Sequence, residues 1–589
     1  MRDADAVVVG SGPGGATVAD VLTAAGWDVV VLEKGRNHLL DLTPPFAPKG
    51  DFSNDELKFH VRHFLGPDPL LEPRTFRRTD ADGDRLFTGE VNPIPSTVGG
   101  GGPHADAKLP RFREEDFHLR SARGPIESAD IADWPLQYDE LEQHYAEAER
   151  LVGVAGDAGA NPFAAWRSCP YPMPPGPDMF GSTLTAAAAA ELGLHPYRAP
   201  TGANSVEYDG RPACNNCGFC GEYGCPIEAK GDPVASLRRA LRTGLCSILP
   251  ESYVTDVLLD GSGRRATGVR YLDRDGTVQE VRAEHVVLAC GAFETPRLLL
   301  TQGLANSSGL VGAMLTVHFQ TFVVGGFPFS LHGHRGRSVT HLHDDFIVPG
   351  DDDLAAARLA GLPWFRGGTV EHGSAAGPIR EALIYGPGAH HNRAMVDSNL
   401  RDRLWVFTMQ GEDLPQARNR VDLDPSVRDA WGRPAGRVTY SPHRHEVAAS
   451  AHFAPVLEEV MRRAGAEWTA TSTSPPLGDH ADLSPLGMAP ASRHIMGTCR
   501  MGADARTSVI DPHGAFWDVE HLWCADSSVF TTATGYNPTL TIVALAIRMA
   551  RTLAGRGRRP FPLSTFPPFL SHRSRDNDGK EEGGRPARV

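Results

Sequence analysis

The sequence predicts an α/β fold in which a parallel-sheet domain, assembled from non-contiguous segments, carries a second domain. Three observations lead there. Residues 6–35, AVVVGSGPGGATVADVLTAAGWDVVVLEKG, read as strand, glycine turn, helix and second strand. Features of the same kind return near the C-terminus, in LWCADSSVF at 522–530 and a helix at 539–553. Between them, residues 311–490 hold short strand-like pieces split by Gly-, Pro- and Asp-rich loops, as a second domain over the first would.

The N-terminal unit is the most specific. Val7, Val8 and Val9 form a β-branched run, Gly10, Gly12 and Gly15 supply G-x-G-x-x-G, and Glu33 follows the second strand. Such glycines serve a tight turn, close backbone approach to a pyrophosphate, and close packing of helix on strand. The helix N-terminus offers free N–H groups and a positive dipole end to phosphates. Glu33 can accept from both ribose hydroxyls and would repel a 2′-phosphate. The whole unit predicts a bound adenine dinucleotide; a ligand-free glycine turn would leave Glu33 without a task.

At 589 residues the chain is too long for one simple core, so two joined domains are expected. Contents of 41% hydrophobic and 22% charged residues suit a soluble globular protein. The 72 acidic and 58 basic residues give a formal charge of −14, which disfavours nucleic acid and anionic membrane and favours neutral or cationic ligands. No apolar run reaches the length of a membrane span. The first strand starts within ten residues of Met1, leaving no room for a signal peptide, so a cytoplasmic location is expected. Nine cysteines in so long a chain are compatible with reduced thiols.

Along the chain, residues 41–98 are rich in Pro, Asp and Arg and read as a surface excursion. An amphipathic helix with an acidic wet face is predicted over 138–152, a Pro-rich loop over 161–177 and an alanine-rich helix over 183–192. Residues 252–290 alternate like a strand meander (YVTDVLL, ATGVRYL, TVQEVRA, HVVLACGA), with Asp260-Gly261 and Asp275-Gly276 as turns. Beyond residue 556 the composition turns to Pro, Arg, Gly and Asp, and from about Ser571 disorder is expected.

The chemistry concentrates near the C-terminus, at His494 in SRHIMGTCRMG and Asn537 in ATGYNPTLTIVALAIRMA. Pro538 suits the first turn of a helix, where its missing N–H costs nothing. The N–H groups from Thr539 onward then face an electron-rich ring edge or a developing negative charge. A neutral imidazole, with an ordinary pKa of about 6.5, is a natural base for an alcohol O–H. An Asn side chain can donate to and accept from one substrate oxygen.

At four separated places the chain resembles the glucose–methanol–choline (GMC) family of FAD-dependent oxidoreductases. These are VVGSGPGGAT…VLEKG, STVGGGGPH at 96–104, CGAFETPRLLL at 290–300, and the His494…Asn537 region; after Thr301, Gln302 replaces the family's usual Ser. The C-terminal motif style is closest to bacterial gluconate and sugar dehydrogenases. The resemblance implies a Rossmann-like FAD-binding domain of non-contiguous segments, with a second α+β substrate domain built on an antiparallel sheet. It divides the chain into FAD-binding parts at 1–110, 205–310 and 491–556, a substrate-domain and lid excursion at 111–204, a substrate domain at 311–490 and a tail at 557–589.

Carried over residue by residue, Gly10, Gly12, Gly14, Gly15, Glu33 and Lys34 would bind the ADP half. Val254 would meet the adenine, Gly99, Gly100 and Gly101 would pass the isoalloxazine and pyrophosphate, and Gly291, Asp526, Pro538 and Thr539 would complete the site. His494 would take the alcohol proton while hydride passes to flavin N5, with Asn537 as its partner. The implied substrate is a sugar, glycoside, polyol or related secondary alcohol, with an electron-acceptor protein or small partner subunit as a further implied partner. Some relatives without a signal are exported bound to a partner that has one. The family also contains FAD oxidases that use O2 and non-redox, FAD-containing lyases.

Two features stay open at this level. His104 stands where some branches attach the flavin covalently, but Ala105 follows where Asn is frequent, and a non-bonded place beside the flavin is the alternative. Cys214, Cys217, Cys220 and Cys225 precede Pro226 in C-x2-C-x2-C-x4-C-P, one residue looser than an iron–sulfur run. Some GMC sugar and polyol dehydrogenases carry an iron–sulfur cluster in such a segment, a four-thiolate zinc site is chemically possible, and many relatives keep a similar loop with no cluster. The other five cysteines, Cys169, Cys246, Cys290, Cys499 and Cys524, read as buried packing.

Overall fold

The computed structural model describes residues 2–47, 67–89, 91–92, 94–218, 220, 224–333, 335–373, 402–475, 489–490 and 492–556; the expected tail at 557–589 lies outside them. A seven-stranded sheet forms the base. Its parallel strands run in the order Cys246–Leu249, Val29–Leu32, Arg2–Val9, Val278–Leu288 and Leu522–Cys524. The antiparallel strands Ala266–Leu272 and Tyr253–Leu259 extend it as the expected meander. The segments TVQEVRA and HVVLACGA are one continuous strand, however, paired on one half with the meander and on the other with Arg2–Val9. Val7, Val8, Val30, Val31, Val286 and Val287 are fully buried, as strands covered on both faces require.

Helices Pro13–Ala24, Tyr138–Val152, Pro233–Arg242 and Thr539–Arg556 pack together on this sheet. Tyr138–Val152 spans the predicted residues, and its moderate amphipathicity buries Leu141 and Tyr145. The alanine-rich helix starts three residues earlier than expected, at Phe180–Glu191. The 41–98 region is not all surface: Arg74–Arg77 is a fully buried strand of a four-stranded sheet with Phe87–Gly89, Pro434–Thr439 and Arg420–Arg428. Burial of its arginines is tolerated because Arg74 pairs with Glu294 and lies over the Phe293 ring, while Arg77 pairs with Asp80 and Asp422.

The second domain is built on a six-stranded sheet, ordered Trp468–Ser474, Phe319–Gly326, Leu404–Gly411, Val370–Gly373, Val339–His343 and Tyr197–Arg198, every pair antiparallel. The 20-residue helix Arg444–Arg463 covers its outer face, burying Phe453, Leu457, Val460 and Met461 against Val323, Trp405, Phe407 and Met409. Reading 311–490 as short strands missed this helix, whose buried positions Ala449, Phe453, Leu457 and Met461 keep a helical spacing across Pro455. Among the described residues, no helix is long and apolar enough to cross a membrane.

Trp405 is wholly buried, and a Cβ on Gly181 would fall 2.5 Å from its ring, so helix and sheet touch without a gap. Trp405→Ala should therefore destabilise the protein by about 3–5 kcal/mol, read as a lower denaturant midpoint; an unchanged midpoint would contradict this packing.

Candidate active site

A cavity of about 870 Å³ opens between the carboxyl ends of the parallel strands and the inner face of the antiparallel sheet. It is lined by Gly10, Gly12, Gly14, Glu33, Lys34, Gly100, Gly101, His104, Val254, Gly291, Asp526, Pro538 and Thr539, and by both His494 and Asn537. Gly15 and Gly99 do not line it. A Cβ on Gly15 would fall 2.0 Å from the Gly10 carbonyl oxygen, which marks it as the helix-on-strand contact. Gly99 donates its N–H to Ser11 Oγ at 2.9 Å and so ties its own loop to the first glycine turn.

Four helices begin at the wall of this cavity: Pro13–Ala24, Pro233–Arg242, Gly291–Gln302 and Thr539–Arg556. Two are capped by the chain itself. Asp232 accepts from Val234 N at 2.9 Å, and Asp526 accepts from Gly291 N at 2.9 Å and Thr295 Oγ1 at 2.7 Å. Helix Pro13–Ala24 has no side-chain cap and no acid in its first turn, and Thr539–Arg556 has no acid there either. Their positive ends are left for a ligand.

The glycines make the same point sterically. A Cβ on Gly14 would fall 1.5 Å from the Ala525 carbonyl oxygen, so the protein itself demands glycine there. A Cβ on Gly12 would meet nothing within 4 Å, and its φ of −66° suits any residue. Glycine at 12 is thus needed only by an occupant of the cavity, and these residues fit a dinucleotide diphosphate.

Glu33 is engaged within the chain itself. One carboxylate oxygen accepts from Ser11 N at 3.0 Å and Ser11 Oγ at 2.7 Å, the other from Gly35 N at 2.9 Å. It locks the glycine turn, and since an ionised carboxylate offers about four acceptor sites, capacity for a ribose hydroxyl remains. The charge of Lys34 is taken up by Glu72 at 2.6 Å and Glu294 at 3.4 Å, so Lys34 lines the wall as one member of an ion-pair cluster. Gln302 uses both ends of its amide on the Val257 backbone, at 2.8 and 3.2 Å, fastening the meander to its helix.

At the other end of the cavity, His494 is half-buried, with Nδ1 2.8 Å from Nδ1 of His318. One ring nitrogen donates and the other accepts, which requires a neutral acceptor. Burial above all, helped by His318 and the Lys108 ammonium, holds His494 well below the usual histidine pKa; burial likewise pushes His318 down to about 4. Both rings are neutral at pH 7. His318, one of 24 histidines and set in the unremarkable stretch TVHFQ, carries no signal that sequence reading could use.

Asn537 donates from Nδ2 to Glu371 Oε1 at 3.1 Å. A carboxylate only accepts, which fixes the amide's orientation, and leaves Asn537 Oδ1 buried without a hydrogen-bond partner on the cavity wall. Glu371 also takes Lys108 Nζ at 2.6 Å on its other oxygen. Neither Glu371 nor Lys108 was expected from the sequence.

None of the nine cysteines is in a disulfide. Cys246, Cys499 and Cys524 are buried, whereas Cys169 and Cys290 are only partly so. Of the four-cysteine loop, Cys217 lines the cavity, and burial above all pushes the Cys220 thiol up to about 12. Among the described residues, the one set of three or more metal-type side chains with ligand atoms within 4.8 Å is Glu284, His285 and His521. Cys214, Cys217, Cys220 and Cys225 therefore do not converge to the roughly 3.8 Å spacing that tetrahedral zinc thiolates need.

Comparison with known proteins agrees with this architecture. The two GMC oxidoreductase family models match residues 178–320 and 415–546. A 2-methyl-1,2-propanediol dehydrogenase of Mycolicibacterium austroafricanum is 29% identical, over 94% of this chain and 95% of its own. A gluconate 2-dehydrogenase flavoprotein of Pantoea cypripedii is 27% identical over 96% and 95%, and a paromamine 6'-oxidase of Streptomyces fradiae 29% over 94% and 91%. Among solved structures, pyridoxine 4-oxidase from Mesorbium loti superposes with a TM-score of 0.60 at 16% identity, over 93% of this chain and 98% of that one. A formate oxidase variant from Aspergillus oryzae gives 0.61 at 14%, over 94% and 98%, a likeness of fold. With its sheet topology and both family models in agreement, the chain belongs to the GMC oxidoreductases and is an enzyme acting on CH–OH donors.

Proposed function

We propose that this protein oxidises a sugar, glycoside, polyol or related secondary alcohol, with His494 as general base and Asn537 as the group that orients the substrate. The observation that carries the reading is one cavity holding an uncapped helix N-terminus at Gly12, a neutral His494–His318 pair, and the unpartnered Asn537 Oδ1. Gly10, Gly12, Gly14, Glu33 and Val254 would hold the ADP half of FAD, and Gly100, Gly101, His104, Gly291, Asp526, Pro538 and Thr539 the remainder. FAD, when bound, supplies the acceptor for the carbon-bound hydrogen.

The chain's own part is proton handling and alignment. For His494 Nε2 to accept the hydroxyl proton, Nδ1 must carry hydrogen and donate it to His318 Nδ1, so His318 is a positioning residue that sets the tautomer. Asn537 Oδ1 accepts a substrate hydroxyl and so holds the substrate in one geometry. Relatives named as a gluconate dehydrogenase flavoprotein and a fructose dehydrogenase large subunit support a partner subunit as electron acceptor.

His494→Ala should retain FAD yet slow anaerobic bleaching of the flavin by an alcohol about 10²–10⁴-fold; unchanged kinetics would remove His494 from the mechanism. Because its pKa is depressed, His494 stays neutral as the pH falls, and the acid limb of the reduction rate should lie well below the ordinary value of about 6.5. A limb at or above that value would contradict a buried, neutral base.

Gly12→Ala should fold with the wild-type melting temperature before FAD is added but lose FAD on dialysis, whereas Gly14→Ala should destabilise the protein with or without it. Full FAD retention by Gly12→Ala would move the diphosphate away from this turn.

A further inference from the structure

The sheet face that roofs the cavity is graded along its length. Leu404, Val406, Thr408 and Gln410 line the cavity, while the intervening Trp405, Phe407 and Met409 are buried in the second-domain core. At the Gln410 end the wall is a hydrogen-bonded polar strip. Gln320 Nε2 donates to Gln410 Oε1 at 3.1 Å, and Gln410 Nε2 donates to Glu371 Oε1 at 3.1 Å. Lys108 Nζ donates to Glu371 Oε2 at 2.6 Å and to Asp106 Oδ2 at 3.1 Å. Asn537 joins this strip through Glu371, and the Lys108 charge bears on His494, so the polar end is the reacting end. Away from it the lining turns apolar, with Phe322 opposite Thr408 and then Val406 and Leu404 toward the far end. At about 3.4 Å per residue, Leu404 lies roughly 20 Å from Gln410.

Two hydrogen-bonding capacities are left over at the polar end. The Lys108 ammonium has three N–H groups and gives one to each of two carboxylates, and Asn537 Oδ1 is buried with no donor. A hydroxyl group accepts from the first and donates to the second. The reacting hydroxyl is committed to His494, so the group that completes the set is a second hydroxyl beside it. The Lys108 charge is already shared by two carboxylates, Asp106 and Glu371, so it is not free for an anionic head. We propose that the substrate is an amphipathic vicinal diol: the hydroxyl next to the reacting one is held by Lys108 and Asn537, and an apolar arm runs along Phe322, Val406 and Leu404. The proposal rests on the alcohol-oxidation reading above.

The test is anaerobic flavin reduction in the FAD-loaded protein with octane-1,2-diol, octan-1-ol and propane-1,2-diol. Octane-1,2-diol should exceed each of the others at least tenfold in rate over apparent Kd. Lys108→Met and, keeping the side-chain size, Glu371→Gln should each bring the diol-over-monool ratio near one. Phe322→Ser should lower the octane-over-propane ratio. Equal rates for octane-1,2-diol and octan-1-ol, or for octane-1,2-diol and propane-1,2-diol, would overturn the proposal while leaving alcohol oxidation intact. Bleaching by none of the three, nor by a broader alcohol panel, would instead remove the alcohol-oxidation reading and this one with it.

Discussion

Backbone contact between Gly14 and Ala525 is the constraint on which the site depends. The two residues come from opposite ends of the chain, and any Cβ on Gly14 would collide with the Ala525 carbonyl. That contact seats helix Pro13–Ala24 against the segment after strand Leu522–Cys524, whose pairing with Val286–Leu288 brings it into the parallel sheet. Asp526, the next residue, then caps helix Gly291–Gln302 and the turn at Ser527–Val529 with a single carboxylate. Glycine turn, central helix and the C-terminal segment that carries Asp526 are thereby fixed to one another.

The electrostatics of the cavity follow from which charges the chain neutralises. Beside the glycine turn, Lys34, Arg74 and Arg297 are matched by Glu72, Glu294 and Asp429, so the charges of this cluster are paired within the chain. Helix Pro13–Ala24, with no side-chain cap, turns its positive end to the cavity there. At the reacting end, the two histidines are kept neutral by burial, and one cation, Lys108, sits between two carboxylates. A neutral base beside a fixed ammonium suits removal of a proton from a hydroxyl, because the oxygen's developing negative charge finds a compensating charge already in place.

Much of this architecture was legible because its signals are local. The glycine spacing, Glu33 and the valine runs lie within one stretch of chain, and Tyr138–Val152 shows its wet and dry faces in a single helix. The rest depends on pairings that sequence order hides. Lys108 and Glu371 are 263 residues apart, and His318 and His494 are 176 apart. The strand LWVFTMQG faces a core on one side and the cavity on the other, so its alternation carries almost no polar contrast until Thr408 and Gln410. Arg74 and Arg77, within the segment whose composition reads as a surface excursion, are buried because their counter-ions arrive from other elements.

The central claim is that one continuous cavity places a dinucleotide between the Gly12 turn and the His494–Asn537 pair. A crystal structure of the FAD-loaded protein tests it most directly. The account predicts ribose density beside Glu33, diphosphate density over Gly12, and the ring system ending next to His494 and Asn537. Density elsewhere, or a ring system out of reach of His494, would contradict it.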